Sequence, residues 1–257
     1  MKTLHTILIF ILLIILLGSL FSGLSRVNEG FEYKDVEIVI SRYNEPLDWL
    51  SESLFDKYAI TVYNKGQNAE FTKLSNLRKI IPVKNVGKCD HSYLYHIVNN
   101  YDNLAEITVF LPGSCNMPNK KDKAIKLIEH IEKIEKAVFL SDTVHENVKN
   151  ENYDFMMDEW ATSDEANKSA NSEKTLDKAK IRPFGKWYES NFGDLTVKHM
   201  TYSGIFSVSK QDILQHPIDH YKNLMVQLET SSNPEVGHYI ERSWAAIFHP
   251  MNNTQII

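Results

Sequence analysis

The alternation of apolar and polar positions after residue 35 predicts short buried strands separated by amphipathic helices. Strands are expected where β-branched and aromatic residues run together, and helices where apolar residues recur every three or four positions. The predicted strands are 36–43, 58–63, 107–111, 137–140 and 204–208. The predicted helices are 44–54, 91–101, 120–136, one beginning at Pro217 and one at Asn233-Pro234-Glu235. This order predicts an α/β fold with a single Rossmann-like, mostly parallel sheet flanked by helices.

The start of the chain differs from the rest because residues 7–24 form an almost unbroken apolar run. As a helix this run would be about 27 Å long, close to the hydrocarbon thickness of a bilayer. Lys2 precedes the run, Arg26 follows it, and no A-x-A-like cleavage site ends it. We therefore expect residues 1–27 to be a membrane anchor, one transmembrane helix with the following domain lumenal or extracellular. A cleaved signal segment, which would give a secreted protein, is the alternative.

Residues 28–257 are predicted to form a single α/β domain that contains a mobile polar loop at about 162–181. Leu176 is the only large apolar residue within 163–180. An active-site lid and a plain surface insertion both fit this composition.

Composition narrows the class of protein further. Hydrophobic residues make up 43% of the 257 residues and charged residues 24%, as in folded globular proteins. The net charge is −5 and no long basic run occurs, which argues against a nucleic-acid-binding protein. Cys89 and Cys115 are the only cysteines, and they can either pair in an oxidising compartment or stay free.

Polar residues follow the first two predicted strands, where ligands of parallel α/β sheets bind. Arg42, Asn44 and Glu45 end the first strand, and Asn64 and Lys65 end the second. Arg42 can pair with a phosphate, and Asn44 or Glu45 can hydrogen-bond a sugar or a base. The alternative is that Asn44 and Glu45 only open the next helix.

Glu241 lies with His238 and Arg242 on one polar side of the last predicted helix. A carboxylate between a histidine and an arginine can act as a general base that activates a hydroxyl. An exposed helix face with ordinary i, i+4 pairing is the alternative.

Two further stretches supply substrate-binding candidates. Asp158 stands beside Glu159 and Trp160, and Lys186-Trp187 lies within an aromatic stretch at 184–188. A helix start and the core packing of aromatic rings are the respective alternatives.

Several familiar catalytic motifs are absent from the sequence. It contains no phosphate-binding P-loop, no dinucleotide-binding G-x-G-x-x-G, no G-x-S-x-G and no H-E-x-x-H. His216 and His220 have i, i+4 spacing, but Pro217 is expected to start its helix after His216, which argues against a zinc pair.

The ordered motifs together resemble the uncharacterised family known as domain of unknown function 3431. The stretches that carry the resemblance are 40–45 with Trp49, 63–66, 85–87, 93–104, 108–111, 182–188, 204–206 and 233–244. That family is distantly similar to two-lobed α/β (GT-A-like) glycosyltransferases. The resemblance implies a nucleotide near residues 42–45, and it implies that Glu241 is the late acid that serves as base.

The implied activity is that of a membrane-anchored glycosyltransferase-like protein, which transfers a sugar from a nucleotide-sugar to a glycan or protein acceptor. Glu241 would deprotonate the acceptor hydroxyl, while Arg42 or Lys186 stabilises the leaving diphosphate. Such enzymes usually hold a divalent metal with an Asp-x-Asp, but the comparable strand end here is Pro112-Gly113-Ser114-Cys115. This departure argues against a metal. It favours the alternative of a non-catalytic carbohydrate- or protein-binding ectodomain on the same fold.

Overall fold

The computed structural model describes residues 35–68, 75–158 and 176–257, all within one compact unit. The expected membrane anchor and most of the expected polar loop lie outside these residues. Within the described ranges, every helix is too short or too polar to cross a membrane.

Strands and helices alternate along the described chain. The strands are β1 (Val36–Arg42), β2 (Ala59–Asn64), β3 (Leu77–Pro82), β4 (Ile107–Pro112), β5 (Ala137–Phe139), β6 (Thr143–Val144), β7 (His199–Met200), β8 (Phe206–Ser209) and β9 (Thr254–Ile256). The α-helices are α1 (Lys88–Asn99), α2 (Pro118–Ile134), α3 (Val148–Glu151), α4 (Phe184–Phe192), α5 (Lys210–Leu214), α6 (Ile218–Met225), α7 (Glu235–Glu241) and α8 (Trp244–Ile247).

A five-stranded sheet with the order β3-β2-β1-β4-β8 forms the centre of the fold. Strands β1 to β4 are mutually parallel, and β8 runs antiparallel to β4. Strand β1 is central, and six of its seven residues are buried, as a strand covered on both faces requires. The predicted α/β fold with a mostly parallel sheet flanked by helices is confirmed.

Two short sheets extend this core. Strand β5 pairs in parallel with β9, and β6 pairs antiparallel with β7. The predicted strand at 137–140 therefore forms, but it belongs to a separate two-stranded sheet. Ser207 connects the two sheets, because its hydroxyl accepts a hydrogen bond from the backbone N–H of Val138 at 2.6 Å and donates one to the Val138 carbonyl at 2.8 Å.

Helices α1 and α2 form where apolar residues recur at helical spacing. The buried residues of α2 are Ala124, Leu127, Ile128 and Ile131, which is the stripe that its sequence predicts. Helix α1 packs against β1, α6 and α7, and α2 packs against β5 and β8.

The predicted helix at 44–54 is wrong. These residues form a loop with one 3-10 turn, Asp48–Ser51. Pro46 accounts for the difference, since it lacks an N–H and disfavours the helical conformation at Glu45. The apolar spacing there nevertheless marks buried positions, namely Leu47, Trp49 and Leu50.

Helix α7 begins with Pro234 rather than Asn233 as its N-cap, and no side chain caps it. Within the part of the chain that the structure describes, both polar atoms of the buried Asn233 side chain lack a hydrogen-bond partner. Asn233, with which the predicted helix opens, therefore does not cap α7, although the predicted helix start is correct to within two residues. In contrast, Ser209 caps α5, accepting a hydrogen bond from the N–H of Asp212 at 3.0 Å.

Candidate functional site

The carboxyl ends of β1, β2 and β4 meet at one edge of the sheet. Arg42 lies opposite Asn64 in the register of β1 and β2, and Ser41 lies opposite Pro112 in that of β1 and β4. Because β8 is antiparallel, it begins at the same edge, where Phe206 pairs with Phe110. Ligands of open α/β sheets bind beyond this edge.

Arg42 joins the loops that follow β1 and β2. Its guanidinium is buried and donates from Nε to the Glu45 carbonyl at 2.7 Å and from Nη1 to Oδ1 of Asn64 at 2.7 Å. Nη1 also donates to the carbonyl of Asn68. Burial lowers the pKa of Arg42, and Glu45 partly offsets this effect. These contacts assign Arg42 to organising the sheet edge.

The loops after β1 and β2 touch closely enough to require glycine at position 66. A Cβ on Gly66 would lie 1.6 Å from the Tyr43 carbonyl oxygen and 2.3 Å from Oδ1 of Asn44. Glu45 turns back and accepts a hydrogen bond from the Tyr43 N–H at 2.6 Å. Asn44 itself is exposed just beyond the end of β1, and its Oδ1 accepts a hydrogen bond at 3.4 Å from the Asn68 N–H.

Lys65 ties the end of β2 to the start of α1. Its buried ammonium donates hydrogen bonds to the carbonyl oxygens of Val86 and Lys88. Burial lowers the pKa of Lys65 to about 8, and Cys89 and Asp90 partly offset the effect. Lys65 therefore holds the first turn of α1 against the sheet edge.

Glu241 lies at the same edge of the sheet, at the end of α7. Its Oε1 accepts a hydrogen bond at 2.8 Å from the backbone N–H of Ser203, three residues before the first residue of β8. Ser203 and Gly204 both have positive φ, 67° and 62°, which directs this N–H toward α7. Among the described residues, none donates a hydrogen bond to Oε2 of Glu241, so this oxygen can accept a proton from a ligand.

His238 and Arg242 flank Glu241 on α7, as the sequence predicts. Nζ of Lys88 lies 3.0 Å from Nε2 of His238, so the imidazole accepts and the ammonium donates. Burial, with Lys88 and Arg242, lowers the pKa of His238 to about 3, which keeps the ring neutral. The guanidinium of Arg242 stacks over the ring of Phe155 at 3.7 Å from the centroid.

Lysines surround Glu241 from two helices. Burial lowers the pKa of Lys88 at the start of α1, and Glu241 is the largest effect that opposes this. Burial also lowers the pKa of Lys123 on α2, with Asp142 and then Glu241 opposing it. Lys120, one turn earlier on α2, donates from Nζ to the Ser114 hydroxyl at 2.8 Å. The site therefore combines the half-buried Glu241 carboxylate with several ammonium groups, of which that of Lys123 is paired with Oδ2 of Asp142 at 2.5 Å.

Cys115 lies between the residues around Arg42 and those around Glu241. Burial raises the pKa of its thiol to about 12, with Lys120 and Lys123 opposing the rise and Glu45 adding to it. Glu45 also lies beside Gly113, where a Cβ would be 2.9 Å from its Oε2. Arg42, Glu45 and Asn64 thus form one cluster and His238, Glu241 and Arg242 another, with Gly113–Asn116 between them. We call these the strand-end cluster and the Glu241 cluster.

The remaining predicted site residues lie elsewhere. Asp158 is exposed, with Oδ1 3.5 Å from Nη2 of Arg182. Lys186 is exposed on α4, whereas Trp187 is buried in the core and donates from Nε1 to Oε1 of Gln227 at 2.7 Å. Trp187 also lines a cavity of about 570 Å³ with residues from α4, α7 and the stretch 177–181.

The sequence does not predict four further residues near Glu241, namely Lys88, Asp90, Lys120 and Lys123. A lysine and an aspartate directly after Gly87, at the start of a helix, were the available signal for the first two. Lys120 and Lys123 gave no such signal, because they lie among other polar residues on the solvent-exposed face that an amphipathic helix normally has.

Neither cysteine is paired in the structure, and the described residues contain no group of three potential His, Cys, Asp or Glu ligands that could hold a metal ion. The rings of His216 and His220 stack at 4.5 Å, and their Nε2 atoms bond the carbonyls of His249 and Ile247. Their ring nitrogens are thus used for backbone contacts.

Comparison with known families gives one match. A family model described as "Protein of unknown function (DUF3431)" matches residues 38–255, which is most of the chain. A comparison with curated proteins gives no match.

Proposed function

This chain belongs to the family of proteins of unknown function DUF3431, and we propose that it is a glycosyltransferase-like protein. It would transfer a sugar from a nucleotide-sugar to a glycan or protein acceptor, with Glu241 as the base. The apolar run at 7–24 would anchor it in a membrane, with the domain lumenal or extracellular.

The observation that carries this proposal is the position of Glu241. The carboxylate lies at the carboxyl edge of a parallel sheet, where α/β proteins bind nucleotides and sugars. One of its oxygens is fixed by the Ser203 N–H, and lysines from two helices stand around it. A positioned base next to cations is the arrangement that sugar transfer from an anionic donor requires.

In the proposed sugar transfer, Glu241 and the neighbouring lysines have different roles. Oε2 of Glu241 takes the proton of an acceptor hydroxyl as the hydroxyl oxygen bonds to the anomeric carbon of the donor sugar. The bond between that carbon and the phosphate oxygen breaks, and the electron pair leaves on the nucleotide. The ammonium groups of Lys88 and Lys120 stabilise the negative charge of the leaving phosphate, whereas Nζ of Lys123 donates to Asp142, Thr201 and Tyr202.

Arg42 takes a different part in this proposal from the one that its sequence position implies. Its contacts with Glu45, Asn64 and Asn68 fix the two loops that form the floor of the donor site. Lys186 and Trp187 lie on α4, apart from both clusters, and we assign them no contact with the donor.

A panel of UDP-, GDP- and CMP-sugars incubated with the full-length protein, with and without Mn²⁺, tests the proposal through release of the nucleotide. We expect turnover with one donor and a loss of about 100-fold or more in Glu241→Gln. Glu146→Gln, whose parent side chain is 96% exposed, is the matched control and should keep wild-type turnover.

A non-catalytic sugar-binding domain is the second candidate. The observation that favours it is that β4 ends in Pro112 and continues into Gly113–Asn116, which adds no carboxylate to the sheet edge. It predicts glycan binding that is independent of nucleotide and is unchanged in Glu241→Gln. Absence of turnover and of any nucleotide-dependent rise in melting temperature would remove the transferase proposal and leave this one.

A further inference from the structure

Asp90 is a buried carboxyl group close to the candidate base. It lies in the first turn of α1 and is 3% exposed. Its Oδ1 accepts a hydrogen bond at 3.1 Å from Nε1 of Trp244 on α8. A carboxyl group held inside a protein in this way needs either a compensating cation or a proton.

The second oxygen of Asp90 faces α7. A Cβ added to Gly237 would lie 3.9 Å from Oδ2 of Asp90, so this part of α7 passes directly over the carboxyl group. Glu241 is four residues further along α7 and therefore on the same face of the helix, one turn away. Asp90 on α1 and Glu241 on α7 therefore lie on opposite sides of the contact between these two helices.

The charged groups around Asp90 come from α7, from the end of β2 and from its own helix α1. Burial raises the pKa of Asp90 to about 7, and the Glu241 carboxylate is the next largest cause. The Trp244 hydrogen bond and Lys88 oppose the rise. Lys65 at the end of β2 and the adjacent Cys89 thiol also face the group.

We propose that Asp90 and Glu241 act as a carboxyl pair in which Asp90 carries the proton and Glu241 carries the negative charge. In this arrangement Asp90 is a positioning residue, because it is buried and acts through Glu241 and Lys88. While Asp90 is protonated the pair holds one negative charge, so the ammonium groups of Lys88 and Lys120 can attract an anionic ligand. Ionisation of Asp90 adds a second negative charge beside Lys88 and weakens the binding of that ligand.

The proposal deepens the function proposed above and rests on it only for the identity of the ligand. The existence of the pair can be measured without any sugar. Full-length protein labelled with ¹³C at the aspartate γ-carbon is titrated by NMR. One resonance should titrate with a midpoint near pH 7. It should be absent in Asp90→Asn and should remain in the surface control Asp102→Asn.

Glu241→Gln tests the coupling between the two acids. Removing the neighbouring negative charge should shift the midpoint of Asp90 downward, because that charge is part of what raises it. An Asp90 midpoint below about pH 5 in wild type, or an unchanged midpoint in Glu241→Gln, would overturn the pair. Should Asp90→Asn fail to fold, the Trp244→Phe variant identifies the resonance, since loss of the indole donor should move its midpoint upward.

Ligand binding then separates this proposal from the proposed function. With the donor that the panel identifies, the wild-type KM should rise above pH 7, and in Asp90→Asn it should stay level while kcat retains its wild-type pH profile. A pH-independent wild-type KM would overturn the regulatory role of the pair. Absence of turnover with every donor, together with the expected NMR midpoints, would contradict the transferase proposal and leave the pair standing.

Discussion

Arg42 and Asn64, the last residues of β1 and β2, lie opposite each other in the sheet and are joined by a hydrogen bond of 2.7 Å from Nη1 to Oδ1. The side-chain amide of Asn64 also donates a hydrogen bond, from Nδ2 to the Gly66 carbonyl at 2.9 Å. The side chains that end the two strands therefore fix the loops that follow them. A mutation of Arg42 should consequently alter stability as well as any ligand binding.

The Arg42→Lys variant should lower the free energy of unfolding by about 1–3 kcal/mol. A lysine ammonium cannot reproduce the fork of the guanidinium, so buried carbonyl and amide acceptors lose their donor. Urea denaturation measures the difference. Arg78→Lys on the exposed part of β3 is the control and should unfold within about 0.5 kcal/mol of wild type. Equal stability of the two variants would show that the Arg42 contacts contribute nothing specific.

Gly204→Ala should lower the free energy of unfolding, whereas Gly237→Ala should not. Gly204 has φ of 62°, a conformation that costs a side chain about 1–3 kcal/mol, whereas Gly237 lies inside α7, where alanine is the better helix former. At position 204 the new Cβ would also lie 2.9 Å from the Cys89 sulfur and 3.2 Å from the Tyr93 ring, whereas at 237 its nearest neighbours are 3.9 Å away. Thermal unfolding of both variants measures the gap, and a larger loss at 237 would contradict the described packing.

Glu235→Gln should lower the free energy of unfolding by about 1–3 kcal/mol. The fully buried carboxylate accepts hydrogen bonds at 2.9 Å from the backbone N–H groups of Met157 and Ala179, and at 2.8 Å from the Tyr239 hydroxyl. An amide would set its own NH₂ group against one of these donors. Guanidinium unfolding, with half-exposed Glu229→Gln as control, measures the loss. Indistinguishable midpoints for the two variants would show that the buried carboxylate is dispensable.

His96→Asn should reduce the sensitivity of the fold to acid. Burial lowers the pKa of His96 to about 3, with Lys79 adding to the effect. Among the described residues Nε2 has no hydrogen-bond partner, and Oε2 of Glu37 lies 3.9 Å from it. The unfolded chain therefore binds a proton between about pH 6.5 and 3 that the folded chain excludes, so stability falls as the pH falls through this window. Removing the imidazole should flatten that slope by about 1.4 kcal/mol per pH unit, measured by urea unfolding at pH 4 to 7. An unchanged slope would contradict the buried neutral ring.

The strands of the central sheet could be predicted because burial on both faces leaves continuous β-branched runs, as in β1 and β4. Strand β3 could not, because it lies at the edge of the sheet and carries exposed Arg78 and Lys79. Edge strands often contain such residues, which oppose association with other chains. Their sequence is therefore hard to distinguish from a loop.

The candidate site was predictable only in part, and for local reasons. Helix α1 begins at Lys88, three residues before the predicted start, because Gly87 and Lys88 adopt positive φ and no side chain caps the helix. A helix start without a capping residue gives no sequence signal. The missed turn contains Lys88 and Asp90, two of the groups nearest to Glu241. Lys120 and Lys123 were missed because only the position of α2 relative to the sheet turns them toward the site.

The contact that orients Glu241 comes from a peptide N–H rather than from a side chain. Replacing the Ser203 side chain by another residue therefore leaves the donor in place, and only proline would delete it. Homologues can consequently differ at this position while keeping the carboxylate aligned. The determinant to look for in related sequences is a residue that tolerates the unusual dihedral angles one position later, where the Cys89 sulfur and the Tyr93 ring leave no room for a methyl group.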